Sequence, residues 1–107
     1  MNKPIKILIV EDRVIDAELA LREISKSVSN FVFERVETEK EYIDALSSFQ
    51  PDLVLSDYNL PTFDGMRALT ILKGYSPFTP LIIWTGSTNE EIAVDCMKAG
   101  AVNYVIK

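Results

Sequence analysis

Five apolar runs alternate with four stretches of helical periodicity along this chain, and that alternation limits the fold more than any other feature. Lys6–Val10 is a continuous apolar run. Val14, Ala17, Leu21, Ile24 and Val28 then recur at spacings of three and four, one face of a helix. Residues 31–36 alternate like a strand. Thr38 and Glu41 form a capping box that opens a second helix with Tyr42, Ile43, Leu46 and Phe49 inward, and Pro51 closes it. Asp52–Ser56 is a third strand. A loop with Pro61 and Gly65 leads to a third helix carrying Met66, Leu69 and Leu72, which Gly74 and Pro77 end. Leu81–Trp84 is a fourth strand. Thr88 and Glu91 read as a second capping box, and Ile92, Ala93, Cys96 and Met97 form the inner face of a fourth helix. Gly100 is its stop, and Val102–Ile106 is a fifth strand.

Strands that are apolar on both sides, each separated from the next by a helix, predict a parallel sheet with helices on both faces. The expected fold is α/β, a flavodoxin-like doubly wound sheet of five strands in the order 2-1-3-4-5, with the switch point between strands one and three. With 107 residues the chain is one domain, 1–107. Right-handed crossovers put the second, third and fourth helices on one face and the first helix alone on the other. A fifth helix would normally pack beside the first. Its absence predicts a domain cut short at Lys107. Several hundred Å² of apolar sheet would then be bare, for a helix of the parent protein or a second copy in a homodimer to cover.

Composition removes several kinds of chemistry. The chain has no histidine, so histidine-dependent triads and histidine zinc sites are excluded. The net charge of −5 argues against direct nucleic-acid binding. No apolar run approaches the roughly 20 residues of a membrane span. The one cysteine, Cys96, cannot form an internal disulfide and reads as a packing residue. A cytoplasmic domain is expected.

In such a sheet functional groups collect at the carboxyl ends of the strands. Strand one ends in Glu11 and Asp12, strand three in Asp57, strand four in Thr85 and strand five in Lys107. Strand two ends in a charged run with Arg35 and Glu37 that opens toward solvent. Any one of these groups alone is an ordinary solvated acid, cap or lysine. Together they occupy four of the five exits. Neighbouring strands lie about 4.8 Å apart, so three carboxylates crowd together, and a proton or a cation must relieve them. Oxygen ligands suit Mg²⁺. The set fits phosphoryl transfer, in which catalysis is mostly positioning and neutralisation of three equatorial oxygens. Asp57 is the candidate nucleophile. The cation would take one oxygen, Lys107 another, and the Thr85 hydroxyl with a backbone N–H, that of Gly86, the third.

At these residues the sequence resembles the response regulator receiver family. The resemblance rests on ILIVED (7–12), PDLVLSDYNLPTFDG (51–65), PLIIWTGS (80–87) and KAGAVNYVIK (98–107), in the family's order and spacing. It implies a phosphoacceptor domain of two-component phosphorelay signalling. Asp57 would be phosphorylated, and Glu11 and Asp12 would be the acidic metal pair. Asn59 would lend its backbone carbonyl to Mg²⁺ or Mn²⁺. Thr85 and Tyr104 would be the switch residues and Lys107 the family's lysine. The implied partners are a histidine kinase or histidine phosphotransfer domain and an output domain in the parent protein. Arg13, Trp84 and Asn103 depart from the common pattern. Asn59 and Ser87 flank the path of attacking water. An alternative is a receiver-like interaction module that is not phosphorylated. A phosphatase of the haloacid dehalogenase type would need an acid where Asn59 stands, and a small-ligand flavodoxin-like binder would need a glycine-rich phosphate loop.

Overall fold

The protein is described by a computed structural model covering residues 3–86 and 89–107. Five strands and four helices alternate: β1 (Ile5–Val10), α1 (Val14–Ser25), β2 (Phe31–Val36), α2 (Glu39–Ser48), β3 (Leu53–Ser56), α3 (Gly65–Tyr75), β4 (Leu81–Thr85), α4 (Glu90–Lys98) and β5 (Asn103–Ile106). All pairings are parallel, and the order is β2-β1-β3-β4-β5, as expected. The register sets Val10 beside Ser56 and Thr85 beside Ile106, so Glu11, Asp57, Thr85 and Lys107 leave or end their strands at one edge.

Two apolar layers sandwich the sheet. Leu8, Val10, Val54, Leu81 and Ile83 pack with α2, α3 and α4 through Tyr42, Leu46, Leu69, Leu72 and Cys96. On the other face Ile7, Ile9, Leu55 and Trp84 pack with Ala17 and Ala20 of α1. This is the one-against-three division that right-handed crossovers require. On the α1 face Leu55 and Trp84 pack with Ala20 and are only 9% and 8% exposed, while Val105 is 37% exposed. A groove of about 420 Å³ remains, floored by Leu53, Ile82 and Val105.

Local chemistry sets the helix ends. The Thr38–Glu41 capping box is present in both directions. At α4 the N-cap is Asn89, whose side chain accepts from the Ile92 N–H. The capping box expected from Thr88 lies outside the described residues, as does Ser87. Gly100, at φ +112°, ends α4 as expected. Its N–H donates to Met97 O and the Ala101 N–H to Cys96 O, the paired closure of a Schellman motif. Gly74 does not end α3. The helix runs through it to Tyr75, and Ser76 is the C-cap, because Gly74 does not take the positive φ of a helix-ending glycine.

Three inner-face expectations fail. Val14 is 54% exposed and Ile43 is 43% exposed, because the buried stripes run through Ala17 and Ala20, and through Tyr42, Ala45 and Leu46. Met97 is exposed as well, and Cys96 is the residue α4 buries. Val28 falls beyond the end of α1.

Candidate functional site

β1 carries Glu11 into the interior. Its backbone N–H continues the sheet ladder to Val36 O, and the side chain is only 2% exposed. The next residue, Asp12, is half-buried. The Asp57 N–H donates to Val10 O, which seats Asp57 beside Glu11. One oxygen each from Glu11, Asp12 and Asp57 falls within 4.8 Å of the others, the only such group of metal-capable side chains among the described residues.

The loop after Asp57 is tied down. Asp57 Oδ1 accepts from the Tyr58 N–H at 2.7 Å. Asn59 pairs with Asp64 in an isolated antiparallel bridge, and Asp64 caps α3 through the Arg67 N–H. The Gly65 N–H donates to Tyr58 O at 2.7 Å. A side chain at Gly65 would meet Ile83 Cδ1, Tyr58 Cα and Asp57 O within 2.8–3.2 Å, so close approach of the helix requires glycine there.

Lys107 reaches the cluster from β5. Its backbone N–H donates to Thr85 O, and its ammonium donates to Glu11 Oε1 at 2.6 Å, Asp16 Oδ2 at 2.8 Å and Asp57 Oδ2 at 3.0 Å. It also lies 5.5 Å from the centroid of the Trp84 ring, a cation–π distance. The cleft above these groups, about 480 Å³, is lined by Arg13, Asp16, Asp57, Asn59, Thr85, Gly86 and Lys107. Thr85 is buried within it. Tyr104 sits half-buried on β5 against the α2–α4 layer.

The electrostatics are unbalanced. Burial pushes the Glu11 carboxyl up, and the hydrogen bond from Lys107 only partly offsets it. The hydrogen bond from Lys107 holds Asp16 below the usual carboxylate range. Burial pulls the ammonium of Lys107 down, but its bonds to Asp16, Glu11 and Asp57 together raise it above the ordinary lysine value. Burial raises the Tyr104 phenol. Three carboxylates, Glu11, Asp16 and Asp57, face one buried ammonium, Asp12 adds a fourth beside Glu11 and Asp57, and the further cation, Arg13, is largely exposed. An all-oxygen cluster with surplus negative charge and a buried glutamate matches what a hard dication takes.

The expected exits therefore come together as Glu11, Asp12, Asp57, Thr85 and Lys107. Two contributors were not foreseen. Asp16, in the first turn of α1, is the third acceptor of Lys107. The available signal was an acid four residues past Asp12, within the first turn of the helix that follows. Arg35 was read as opening to solvent. Instead it donates to Glu11 O at 3.0 Å while pairing with Glu37, and so fastens the backbone at the exit of β1.

A parallel 2-1-3-4-5 sheet with three acids, a buried threonine and a lysine at its carboxyl edge defines the phosphoacceptor class of signalling domain. Comparison with known proteins agrees: residues 7–107 match the family model described as response regulator receiver domain, and the chain belongs to that family. It is 30% identical to the regulatory protein AtoC of Escherichia coli (strain K12), over 95% of this chain and 22% of AtoC. It thus spans about a fifth of that relative's length. Among solved structures it resembles the signal receiver domain of a LuxO repressor protein from Vibrio parahaemolyticus. The TM-score is 0.85 at 25% identity, covering 99% of this chain and 79% of that one. It also resembles the Mn²⁺-bound form of the response regulator Rcp1. There the TM-score is 0.81 at 25% identity, covering 97% of this chain and 81% of that one. The chain is therefore a receiver domain homologous to response regulators of two-component systems, a signalling switch. No helix among the described residues is long and apolar enough to cross a membrane.

Proposed function

We propose that Asp57 accepts a phosphoryl group from a phosphohistidine on a kinase or phosphotransfer domain, and that the acyl phosphate switches an output domain of the parent protein. The observation that carries this reading is the convergence of Glu11, Asp12 and Lys107 on Asp57. In the transfer a carboxylate oxygen of Asp57 attacks phosphorus, the O–P bond forms, and the P–N bond to the donor imidazole breaks. The imidazole leaves with the electron pair and takes a proton from solvent. Lys107 is already within hydrogen-bonding distance of Asp57 and neutralises one phosphoryl oxygen. Thr85 and Gly86 line the same cleft, and the Thr85 hydroxyl with the Gly86 N–H would serve another.

Glu11, Asp12, Asp57 and the Asn59 carbonyl would hold Mg²⁺ or Mn²⁺, which supplies neutralisation of the transferred group when bound. The donor set fits, and the Mn²⁺-bound Rcp1 supports the same cation class. Asp16 and Arg13 rim the cleft through which the donor enters. Thr85 and Tyr104 transmit the change, because Tyr104 stands on the strand next to Thr85 and against α4's layer. We place the domain in the cytoplasm, where a phosphohistidine donor would meet it. Incubation with acetyl phosphate tests the reading. Covalent phosphate should accumulate with Mg²⁺ and fail to accumulate when EDTA is present from the start, and no label under either condition would leave a receiver-like interaction module that is not phosphorylated.

A further inference from the structure

Lys107 has three carboxylate acceptors, and they are not equivalent. Glu11 and Asp57 also belong to the group whose oxygens lie within 4.8 Å of one another and can share a cation. Asp16 does not belong to that group, yet its bond to the ammonium is 2.8 Å, shorter than the 3.0 Å bond from Lys107 to Asp57. Asp16 is held by the first turn of α1, a buried-side helix anchored on the sheet by Ala17 and Ala20. Its side chain is only 15% exposed, and its second basic neighbour, Arg13, is 3.7 Å away and mostly in solvent.

We propose that Asp16 is a positioning residue that holds the Lys107 ammonium beside Asp57 while Glu11 and Asp57 are engaged by a cation. This rests on the phosphoacceptor reading and deepens it. A cation arriving among Glu11, Asp12 and Asp57 competes with the ammonium for two of its three acceptors. Without Asp16, the ammonium has, among the described residues, those two carboxylates and the Trp84 face to satisfy it. It then competes harder with the cation, and once displaced it has no fixed place from which to meet the phosphoryl oxygen. With Asp16 the ammonium keeps one full-charge acceptor throughout. The bond from Lys107 that holds Asp16 ionised below the usual range is the same contact seen from the other side.

The test is a double-mutant cycle on the 107-residue chain, with Mg²⁺ affinity read by isothermal titration calorimetry and phosphorylation rate read with acetyl phosphate at saturating Mg²⁺. Asp16→Asn should raise the Mg²⁺ dissociation constant about fivefold and slow phosphorylation by a similar factor, couplings of the size found within one salt-bridge network. Asp16→Glu, which keeps the charge, should restore most of both. In a Lys107→Met background Asp16→Asn should change neither quantity. Lys107→Gln takes the place of Lys107→Met should the methionine variant not fold. Equal effects of Asp16→Asn with and without Lys107 would overturn the proposal, because Asp16 would then act directly on the cation as a charge. No effect in the parent background would overturn it as well. If no form is ever phosphorylated, the phosphoacceptor reading fails, while the Mg²⁺ cycle still decides the role of Asp16.

Discussion

The Lys107 ammonium stands 3.0 Å from Asp57 Oδ2, across 50 positions of sequence and two strand spacings. It donates to Glu11 as well, so it occupies two carboxylates that the proposed dication would also use. Lys107→Met should therefore bind Mg²⁺ about fivefold more tightly, since one nearby positive charge is removed, and yet be phosphorylated more slowly. Asp12→Ala should shift affinity the other way, by about tenfold or more. Glu39→Ala, on the surface pair with Arg67, should leave it unchanged. Calorimetric titration of the three variants checks the signs, and a uniform shift would separate Lys107 from the cation.

Gly65 determines how closely α3 approaches the exit of β3. A Cβ there would stand 2.8 Å from Ile83 Cδ1 and 3.2 Å from the backbone oxygen of Asp57 itself. Ile83 can give, but the Tyr58 and Asp57 backbone cannot do so without moving the site. Gly65→Ala should cost about 1–3 kcal/mol of stability, the usual cost of overpacking, and should also slow phosphorylation. Urea unfolding measures the first and acetyl phosphate labelling the second.

Tyr42 gives the fold an alkaline limit. Its ring is fully buried, and its hydroxyl donates to Ala68 O at 2.8 Å, linking α2 to α3. Burial pushes the phenol well above its ordinary value of 10.0. A phenol whose folded value is raised holds its proton more tightly in the folded state. Its stabilisation is complete below pH 10 and is lost as pH rises from there toward the folded value. Tyr42→Phe should cost about 1 kcal/mol at neutral pH through the lost hydrogen bond. It should also flatten the fall in melting temperature above pH 10. Parallel slopes for the two proteins would remove Tyr42 from the alkaline transition.

Tyr104 is half-buried against the layer that contains Cys96 of α4, one strand away from Thr85. A beryllofluoride adduct on Asp57 should draw the Thr85 hydroxyl toward it and move the Tyr104 ring inward. Comparing the Tyr104 side chain with and without the adduct, by crystallography or NMR, decides this. An unchanged ring would leave Tyr104 as packing on the edge strand.

The sheet and its functional edge were legible because both depend on simple periodicities. Continuous apolar runs separated by helices dictate parallel pairing, and parallel pairing sends every strand's end to one edge. Glu11, Asp12, Asp57, Thr85 and Lys107 followed from that alone. Asp16 and Arg35 did not, because their roles depend on where a long side chain ends rather than on where its backbone lies. The helix faces were only half legible. Val14 and Ile43 have the right spacing and the right chemistry, yet they fall outside the buried stripes, which run through Ala17 and Ala20 in α1 and through Tyr42, Ala45 and Leu46 in α2.

The most direct test of the central claim is intact-protein mass spectrometry after incubation with acetyl phosphate and Mg²⁺. On the proposed reading, with Asp57 as the nucleophile, the parent chain should gain the mass of one phosphoryl group. Asp57→Asn should gain none while still unfolding cooperatively, because the substitution keeps the side chain's shape and its acceptor for the Tyr58 N–H. Undiminished label on Asp57→Asn, or label on the parent that survives mild alkali as an acyl phosphate would not, would contradict the account.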